Sequence, residues 1–206
     1  KQIPQSMGLG GGSSDAATTL IALNELWGIG MSSQDMEQVG RRLGVDVPFF
    51  VRGGTVFGCG RGDELTSLQS LNSQHVVLVC PESLIDRKTE RLYAVLGKEA
   101  YTKGQFTRAL MNAINLDIFS EDCIYNAFQE VAFQCFPSLW VAREDMLRSG
   151  TGAVHLSGTG PGLYSLVSGE RAGERIVSKL ISKGYKAYMV RSVSNVSHLT
   201  IPPDGN

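Results

Sequence analysis

The sequence predicts an α+β protein of two domains, and three observations support this prediction. From Val76 onward the expected order is strand, helices, two strands, helix and strand, which is typical of helices packed on an antiparallel sheet. The residues before it follow a different order, in which a glycine-rich segment leads into helices. A chain of 206 residues with 42% hydrophobic residues can also bury one large or two small cores. We place the boundary near residues 72–75, which gives domains of residues 1–73 and 74–206.

The first domain is expected to begin with two helices. Apolar residues at helical spacing predict a helix over residues 14–27, which Gly28 ends. Ser32 and Asp35 resemble a capping box, so a second helix of about 11 residues is expected to end before Gly44.

The rest of the chain is predicted as strands and helices in alternating groups. Pro48 disfavours helix at Val47, which places Asp46 at a bend just beyond a helix end. Strands are expected at residues 55–59, 74–80, 153–156, 163–167 and 186–190. Helices are expected at residues 88–96, 106–114, 123–135, 137–149 and 170–183. The last residues, 201–206, are expected to be frayed.

A cluster of glycines close to the start of the chain predicts a phosphate-binding segment. Four glycines fall within the five positions 8–12, and Ser13, Ser14 and Asp15 follow as the expected cap of the first helix. Glycine allows positive φ and close approach of a ligand, and the first amides of a helix have no partner within it. The helix dipole adds positive potential at the same point.

Neither of the two commonest phosphate motifs fits this cluster. GxxxxGK[ST] requires a lysine that is absent here, and GxGxxG requires a glycine where Ser13 stands. The simpler alternative is a flexible turn or helix entry without a ligand. The position of the glycines directly before an alanine-rich helix favours the phosphate-binding interpretation.

Two further places are candidates for chemistry. Asp46 lies in an apolar stretch where an unpaired charge would be costly to bury, so it is a candidate carboxylate for phosphoryl transfer. The alternative is a loop aspartate that caps nearby amides. A second glycine-rich connection, residues 157–162, is either a plain hairpin loop or a loop whose amides face the first one.

Composition restricts the function classes. Nineteen Lys and Arg residues against 20 Asp and Glu residues give a net charge of −1, so no basic field favours nucleic acid or an anionic membrane. Four separated cysteines and three scattered histidines lack metal-ligand spacing, which predicts reduced thiols and structural histidines. No apolar run approaches a membrane span and no leader pattern stands at the start.

Several motifs, in order along the chain, resemble those of the GHMP small-molecule kinases. Residues 3–17 are similar to the central glycine-rich motif of that family, and residues 43–50 and 53–65 continue the similarity. Lys88-Thr89, Asn126 and the connection at 157–161 extend it along nearly the whole chain. Within the family the pattern is most similar to kinases that phosphorylate 4-diphosphocytidyl-2-C-methyl-D-erythritol in non-mevalonate isoprenoid biosynthesis.

The resemblance implies a two-domain fold and an ATP site. The first domain, residues 1–73, would be part of a ribosomal S5-like α/β domain, and the second, residues 74–206, a ferredoxin-like antiparallel sheet with helices. ATP and Mg²⁺ are the implied cofactors, with Ser14 at the metal. The implied ATP contacts are Lys1, Pro4, Gly8, Leu9, Gly10, Gly11, Gly12, Ser13 and Ser14.

The resemblance also implies roles at the second substrate, a cytidine diphosphate-linked polyol. Asp46 would be the general base that accepts the proton of the 2-hydroxyl. The implied substrate contacts are Asp46, Thr89, Tyr93, Gly158, Thr159 and Gly160. Tyr93 would stack on the cytosine base, the alternative being a core aromatic of an amphipathic helix.

Relatives carry an upstream segment with a lysine that pairs with the catalytic aspartate. Only seven residues precede Gly8 here, so we expect part of the active site to lie outside this sequence. Two alternatives remain: another GHMP kinase, acting on homoserine, mevalonate or a sugar, and a catalytically silent nucleotide-binding protein. The expected protein is a monomer or homodimer in the bacterial cytoplasm or the plastid stroma, without nucleic-acid or membrane partners.

Overall fold

The computed structural model describes residues 2–81 and 87–193, except for the side chain of Glu99. The chain forms two compact units. Among the described residues, the first, which we call the sheet unit, comprises residues 2–9, 71–81 and 87–192, and the second, the helical unit, comprises residues 10–70 and 193. The chain therefore passes from one unit to the other after Leu9 and after Ser70, whereas the predicted domain boundary lies at residues 73 and 74.

Three helices and one hairpin form the helical unit. They are α1 (Gly11–Leu26), α2 (Ser33–Leu43), α3 (Val47–Arg52), β1 (Val56–Cys59) and β2 (Glu64–Ser67). The predicted capping box at α2 is confirmed, since the Ser32 hydroxyl accepts from the Asp35 amide at 3.2 Å and the Asp35 carboxylate accepts from the Ser32 amide at 3.1 Å. The core that joins the helices contains Ala17, Met36, Val47 and Val51.

Two elements of this unit were not predicted. Val47 begins α3 although Pro48 follows it, because proline is tolerated in the first turn of a helix, where its missing N–H would have no partner. Strand β2 pairs antiparallel with β1, and the Gly62 amide donates to the Cys59 carbonyl at 2.8 Å in the turn between them. The prediction that Pro48 disfavours helix at Val47 is therefore wrong, whereas Asp46 does lie in a turn just beyond the end of α2. The glycine cluster at residues 58–62 forms a local hairpin.

A buried ion pair fastens α2 to α3. The Arg52 guanidinium donates to both carboxylate oxygens of Glu37, at 2.8 and 2.6 Å, and to the Leu65 carbonyl at 2.6 Å. The Glu37 side chain is only 6% exposed, so its charge depends on this partner. The hydrogen bond to Glu37 raises the pKa of Arg52 above its ordinary value.

The sheet unit carries a four-stranded antiparallel sheet in the order β4-β5-β3-β6. Its strands are β3 (His75–Cys80), β4 (His155–Leu156), β5 (Leu163–Val167) and β6 (Lys186–Arg191), and its α-helices are α4 (Lys88–Val95), α5 (Gln105–Asn115), α6 (Gln129–Cys135), α7 (Pro137–Ser149) and α8 (Glu170–Ser182). Val77 lies opposite Ser165 on β5 and Met189 on β6. This order of strands and helices is the ferredoxin-like arrangement that was predicted.

Helices cover the sheet and bury a continuous apolar core. Residues without any exposed surface come from both layers of this core: Val77, Val79 and Leu163 from the sheet, and Leu92, Ala132, Leu139, Ala142, Met146 and Leu180 from the helices. The Asp145 carboxylate on α7 accepts from the hydroxyl of Tyr185, which follows the end of α8, at 2.8 Å. Burial and this bond raise the pKa of Tyr185 to about 12.

Helix α6 is shorter than predicted. Residues 121–123 form a single 3₁₀ turn and α6 begins only at Gln129, whereas the sequence predicts helix from residue 123. The Asn126 side chain holds the intervening chain out of the helix, because its amide donates to the carbonyls of Leu156 and Gly158 and its oxygen accepts from the Phe128 amide. Long-range bonds therefore override the local helical pattern.

The cysteines and the lengths of the helices bear on two further expectations. Cys59, Cys80, Cys123 and Cys135 are all free, as predicted, and burial raises the pKa of the Cys80 thiol. Across residues 2–81 and 87–193, every helix is too short or too polar to span a lipid bilayer.

Candidate active site

The first part of the glycine-rich segment packs against the connection at residues 157–162, which we call the late loop. The Ser157 hydroxyl donates to the Gly8 carbonyl at 2.9 Å, and the Gly162 amide donates to the Met7 carbonyl at 3.1 Å. Gly8 has φ +74°, and a Cβ there would lie 2.0 Å from the Ser157 carbonyl oxygen. Only glycine fits this contact, which lies wholly within the sheet unit.

The late loop is itself a fixed structure. The Ser157 amide donates to the Gly162 carbonyl at 2.9 Å and the Gly160 amide donates to the Ser157 carbonyl at 2.7 Å. The Asn126 amide group bonds the carbonyls that precede and follow Ser157, those of Leu156 and Gly158, at 2.9 and 2.8 Å. The loop is thus more than a hairpin connection, because it is bonded both to residues 7–8 and to the start of α6.

Helix α4 brings two of the predicted substrate contacts to the late loop. The hydroxyls of Thr89 and Thr159 lie 3.2 Å apart, and both residues belong to the sheet unit. One turn further along α4, Tyr93 is 57% exposed and its ring meets Phe128 edge to face at 4.9 Å. A core role for Tyr93 is therefore excluded, because more than half of the residue is exposed.

Lys88, the first residue of α4, is a buried cation beside the glycine-rich segment. It is 9% exposed, and its ammonium group donates to the Ser6 carbonyl at 3.1 Å. Ser6 has φ +60°, an unusual conformation for serine, two residues before Gly8. Burial lowers the pKa of Lys88 from its ordinary value.

The second part of the segment begins α1 in the helical unit. Gly10, with φ +62°, is the residue before the helix, and the Ser14 amide closes the first turn by donating to the Gly10 carbonyl at 2.9 Å. The predicted Ser-Ser-Asp cap is therefore wrong: α1 starts at Gly11, and Ser13 and Ser14 lie within it. Gly11, Gly12 and Ser13 supply the first helical amides, and the first turn contains no acidic residue.

Asp46 lies at the N-terminal end of α3, in the same unit as the start of α1. It is exposed, whereas the apolar neighbouring sequence suggested a buried carboxylate. Val47 and Pro48 take the buried positions instead. Phe50, four residues on, contacts Gly10 so closely that a Cβ on Gly10 would lie 2.7 Å from its ring. Helix α3 thus joins the start of α1 to the segment that carries Asp46.

The remaining predicted ATP contacts lie at the start of the chain. Pro4 and Leu9 are partly buried in the sheet unit. Lys1 lies outside the described residues.

Comparison with known proteins decides the family. Residues 1–54 match the model of the GHMP kinases N terminal domain and residues 107–187 match that of the GHMP kinases C terminal domain. A 4-diphosphocytidyl-2-C-methyl-D-erythritol kinase of Dehalococcoides mccartyi is 38% identical over 194 residues, which cover 94% of this chain and 68% of that protein. The chain belongs to the GHMP kinase family.

Other relatives of this GHMP kinase agree. A 4-diphosphocytidyl-2-C-methyl-D-erythritol kinase of Brevibacillus brevis is 34% identical over 93% of this chain, which spans 65% of that protein. A crystal structure of 4-(cytidine 5'-diphospho)-2C-methyl-D-erythritol kinase has a TM-score of 0.77 at 30% identity, covering 93% of this chain and 68% of its own. A homoserine kinase structure from Cytophaga hutchinsonii, at 17% identity and a TM-score of 0.73, supports the fold alone.

The donor groups of this GHMP kinase fit a magnesium ion bound largely through phosphate. In the described part of the chain, no three His, Cys, Asp or Glu side chains form a group suited to a metal. Mg²⁺ usually keeps several waters and binds through one or two protein groups together with substrate phosphates. The Ser14 hydroxyl on the first turn of α1 is compatible with that kind of site.

The sequence analysis did not identify Lys88 as a buried cation that bonds to the Ser6 carbonyl. It entered only as part of a motif, although one signal was available: lysine and arginine are disfavoured in the first turn of a helix by the helix dipole. The burial of acidic side chains was also not predictable from the local sequence, as Asp46 and Glu37 show. Both follow similar mixed sequences, yet the structure exposes the first and buries the second.

Proposed function

We propose that this GHMP kinase transfers the γ-phosphate of ATP to the 2-hydroxyl of 4-diphosphocytidyl-2-C-methyl-D-erythritol, a step of non-mevalonate isoprenoid precursor biosynthesis. The observation that carries the proposal is the 34–38% identity, along nearly the whole chain, to kinases that bear the name of this substrate. The structure supports it with an exposed tyrosine and a threonine pair beside a glycine-rich segment.

The proposed ATP site uses the two parts of the glycine-rich segment. Amides of Gly10 to Ser14 would bind the triphosphate at the start of α1, where the positive end of the helix dipole lies. Lys1, Pro4, Gly8 and Leu9 would line the nucleotide. Bound Mg²⁺, near Ser14, would neutralise charge on the transferring phosphoryl group.

Asp46 is the proposed general base. Its carboxylate would accept the proton of the 2-hydroxyl while that oxygen bonds to the γ-phosphorus and the bond to the bridging oxygen of ADP breaks. The exposure of Asp46 leaves its carboxylate open to a substrate hydroxyl. The late loop residues Gly158, Thr159 and Gly160, with Thr89 and Tyr93, would hold the cytidine diphosphate-linked polyol. The proposed setting is the bacterial cytoplasm or plastid stroma, as a monomer or homodimer.

A substrate panel tests the reaction. Purified full-length protein, MgATP and one acceptor at a time should release ADP rapidly with 4-diphosphocytidyl-2-C-methyl-D-erythritol and far more slowly with homoserine, mevalonate or galactose. Faster turnover of another acceptor would replace the proposed substrate by that one, and the absence of turnover with every acceptor would favour the catalytically silent alternative.

Asp46→Asn separates an enzyme from a binding protein. We expect kcat to fall by about 10²–10⁴-fold, the usual contribution of a general base, while the affinity for MgATP stays within about threefold. Asp117→Asn is the matched control, because Asp117 is exposed and has φ +54°, a conformation that asparagine adopts readily. Equal kcat in the two variants would contradict the assignment of Asp46.

A further inference from the structure

Lys88 combines three features that folding alone disfavours. Its side chain is nine-tenths buried, although a lysine is rarely buried without an ionic partner. Across residues 2–81 and 87–193, no carboxylate lies within ion-pair distance of its ammonium group, whose hydrogen bond goes to the neutral carbonyl of Ser6. Its place at the start of α4 sets its charge against the positive end of the helix dipole.

The surrounding helix turn increases the excess of positive charge. Arg87 precedes Lys88 and Arg91 follows one turn later, while Glu90 is the acidic residue of the first turn. Glu90 lies 3.9 Å from Arg87, and both side chains are more than 70% exposed, so this pair contributes little. An anion bound at the start of α4 would compensate both the cations and the dipole.

The position of Lys88 indicates which anion. Thr89, the next residue, touches Thr159 of the late loop, and Tyr93 presents an accessible ring one turn along the same helix. Lys88 and Tyr93 are five residues apart on α4, a rise of about 7.5 Å, so a nucleoside diphosphate with its base against Tyr93 is long enough for its phosphates to reach the start of the helix. An ammonium group has three donors, and Ser6 uses one of them.

We propose that Lys88 binds the diphosphate of the cytidine diphosphate-linked substrate, so that its ammonium bridges the Ser6 carbonyl and a phosphate oxygen. This inference rests on the proposed function for the identity of the nucleotide. The substrate diphosphate would thereby be fixed to the segment that leads into Gly8.

The test compares cytidine diphosphate with cytidine, since the two differ only in the phosphates. Dissociation constants for both, and for MgATP, are measured by calorimetry on the wild type, Lys88→Met and the control Lys103→Met, which removes an exposed lysine of the same unit. We expect Lys88→Met to raise the dissociation constant of cytidine diphosphate by about 10- to 100-fold, the range for the loss of a hydrogen bond to a charged group. Cytidine and MgATP should change by less than about twofold, and Lys88→Arg should retain most of the discrimination.

Several results would overturn the proposal. If Lys88→Met weakens the binding of cytidine and of cytidine diphosphate equally, Lys88 has a purely structural role. If it weakens only the binding of MgATP, the ammonium group interacts with ATP and not with the substrate diphosphate. If Lys88→Met does not fold, Lys88→Gln carries the same test, because its amide can still donate to the Ser6 carbonyl without the charge. These binding measurements need no turnover, so a failure of the kinase assay with intact discrimination would overturn the proposed function and leave the anion site standing.

Discussion

At the scale of single residues, two glycines permit a close backbone contact because they lack a side chain. Gly8 has no Cβ because the Ser157 carbonyl occupies that position, and Gly162 has none because the Met7 carbonyl lies 2.5 Å from where it would be. The two glycines therefore permit a backbone-to-backbone contact between segments about 150 residues apart in the sequence. Substitution at either residue must displace a backbone and not merely a flexible side chain.

Gly8→Ala is expected to destabilise the protein and impair its activity. The strained φ alone costs about 1–3 kcal/mol, and displacement of the late loop should lower kcat/KM for the polyol substrate. Thermal denaturation and steady-state kinetics measure the two effects. Gly152→Ala is the control, because Gly152 faces open space and should tolerate the methyl group. A Gly8→Ala variant as stable and as active as Gly152→Ala would show that the late loop contact is dispensable.

At the scale of elements, one ion pair joins three of them in the helical unit. Glu37 projects from α2, Arg52 ends α3, and the same guanidinium bonds the Leu65 carbonyl of β2. Since α3 begins beside Asp46 and carries Phe50 against Gly10, the pair indirectly supports both the proposed base and the start of α1. The ion pair is structural, but its loss would also disturb the positions of Asp46 and of the start of α1.

Glu37→Ala is expected to lower the free energy of unfolding by about 3 kcal/mol, because it leaves the Arg52 charge partly buried and unpaired. Glu90→Ala removes the exposed partner of Arg87 and should cost less than about 1 kcal/mol. Urea denaturation of both variants gives the comparison. A similar loss of unfolding free energy in the two variants would mean that Arg52 bonds to another group or becomes hydrated when Glu37 is removed.

At the scale of the whole molecule, the strongest proposed ligand contact is a triphosphate held by backbone amides. Binding to the folded state alone stabilises it by about 2.7 kcal/mol at a concentration one hundred times the Kd. For a protein of this size, MgATP at that concentration should raise Tm by about 5–10 °C. Adenosine at the same concentration lacks the phosphates and should have a much smaller effect. Equal shifts with both ligands would show that the amides do not hold phosphate.

Much of this fold was predictable because local signals and tertiary packing agree. Helix α7 spans the predicted residues 137–149, since Pro137 suits a first turn and Gly150, with φ +117°, accepts the left-handed conformation that ends it. The boundaries of β5 and the capping box of α2 were predicted for equally local reasons. The antiparallel sheet covered by helices was predicted from the order of strands and helices along the chain.

Other features depend on partners that are distant in the sequence. Helix α6 starts late because Asn126 bonds the chain around residues 156–158, and Ser32 could be recognised as a cap where Gly10 could not. The exposure of Asp46 and the burial of Lys88 are likewise consequences of packing. No periodicity reports which of two similar charged residues a neighbouring segment will cover.

The sequence by itself determined the family, the class of fold and the glycine-rich segment, because these depend on residue types at fixed spacing along the chain. Only the tertiary structure decided how that segment is used. It assigns residues 2–9 to the sheet unit, seats Gly8 on the late loop, and places the ammonium of Lys88 on the Ser6 carbonyl. The physical reason is that desolvation and hydrogen bonding act between groups that folding brings together, and 82 residues separate Ser6 from Lys88.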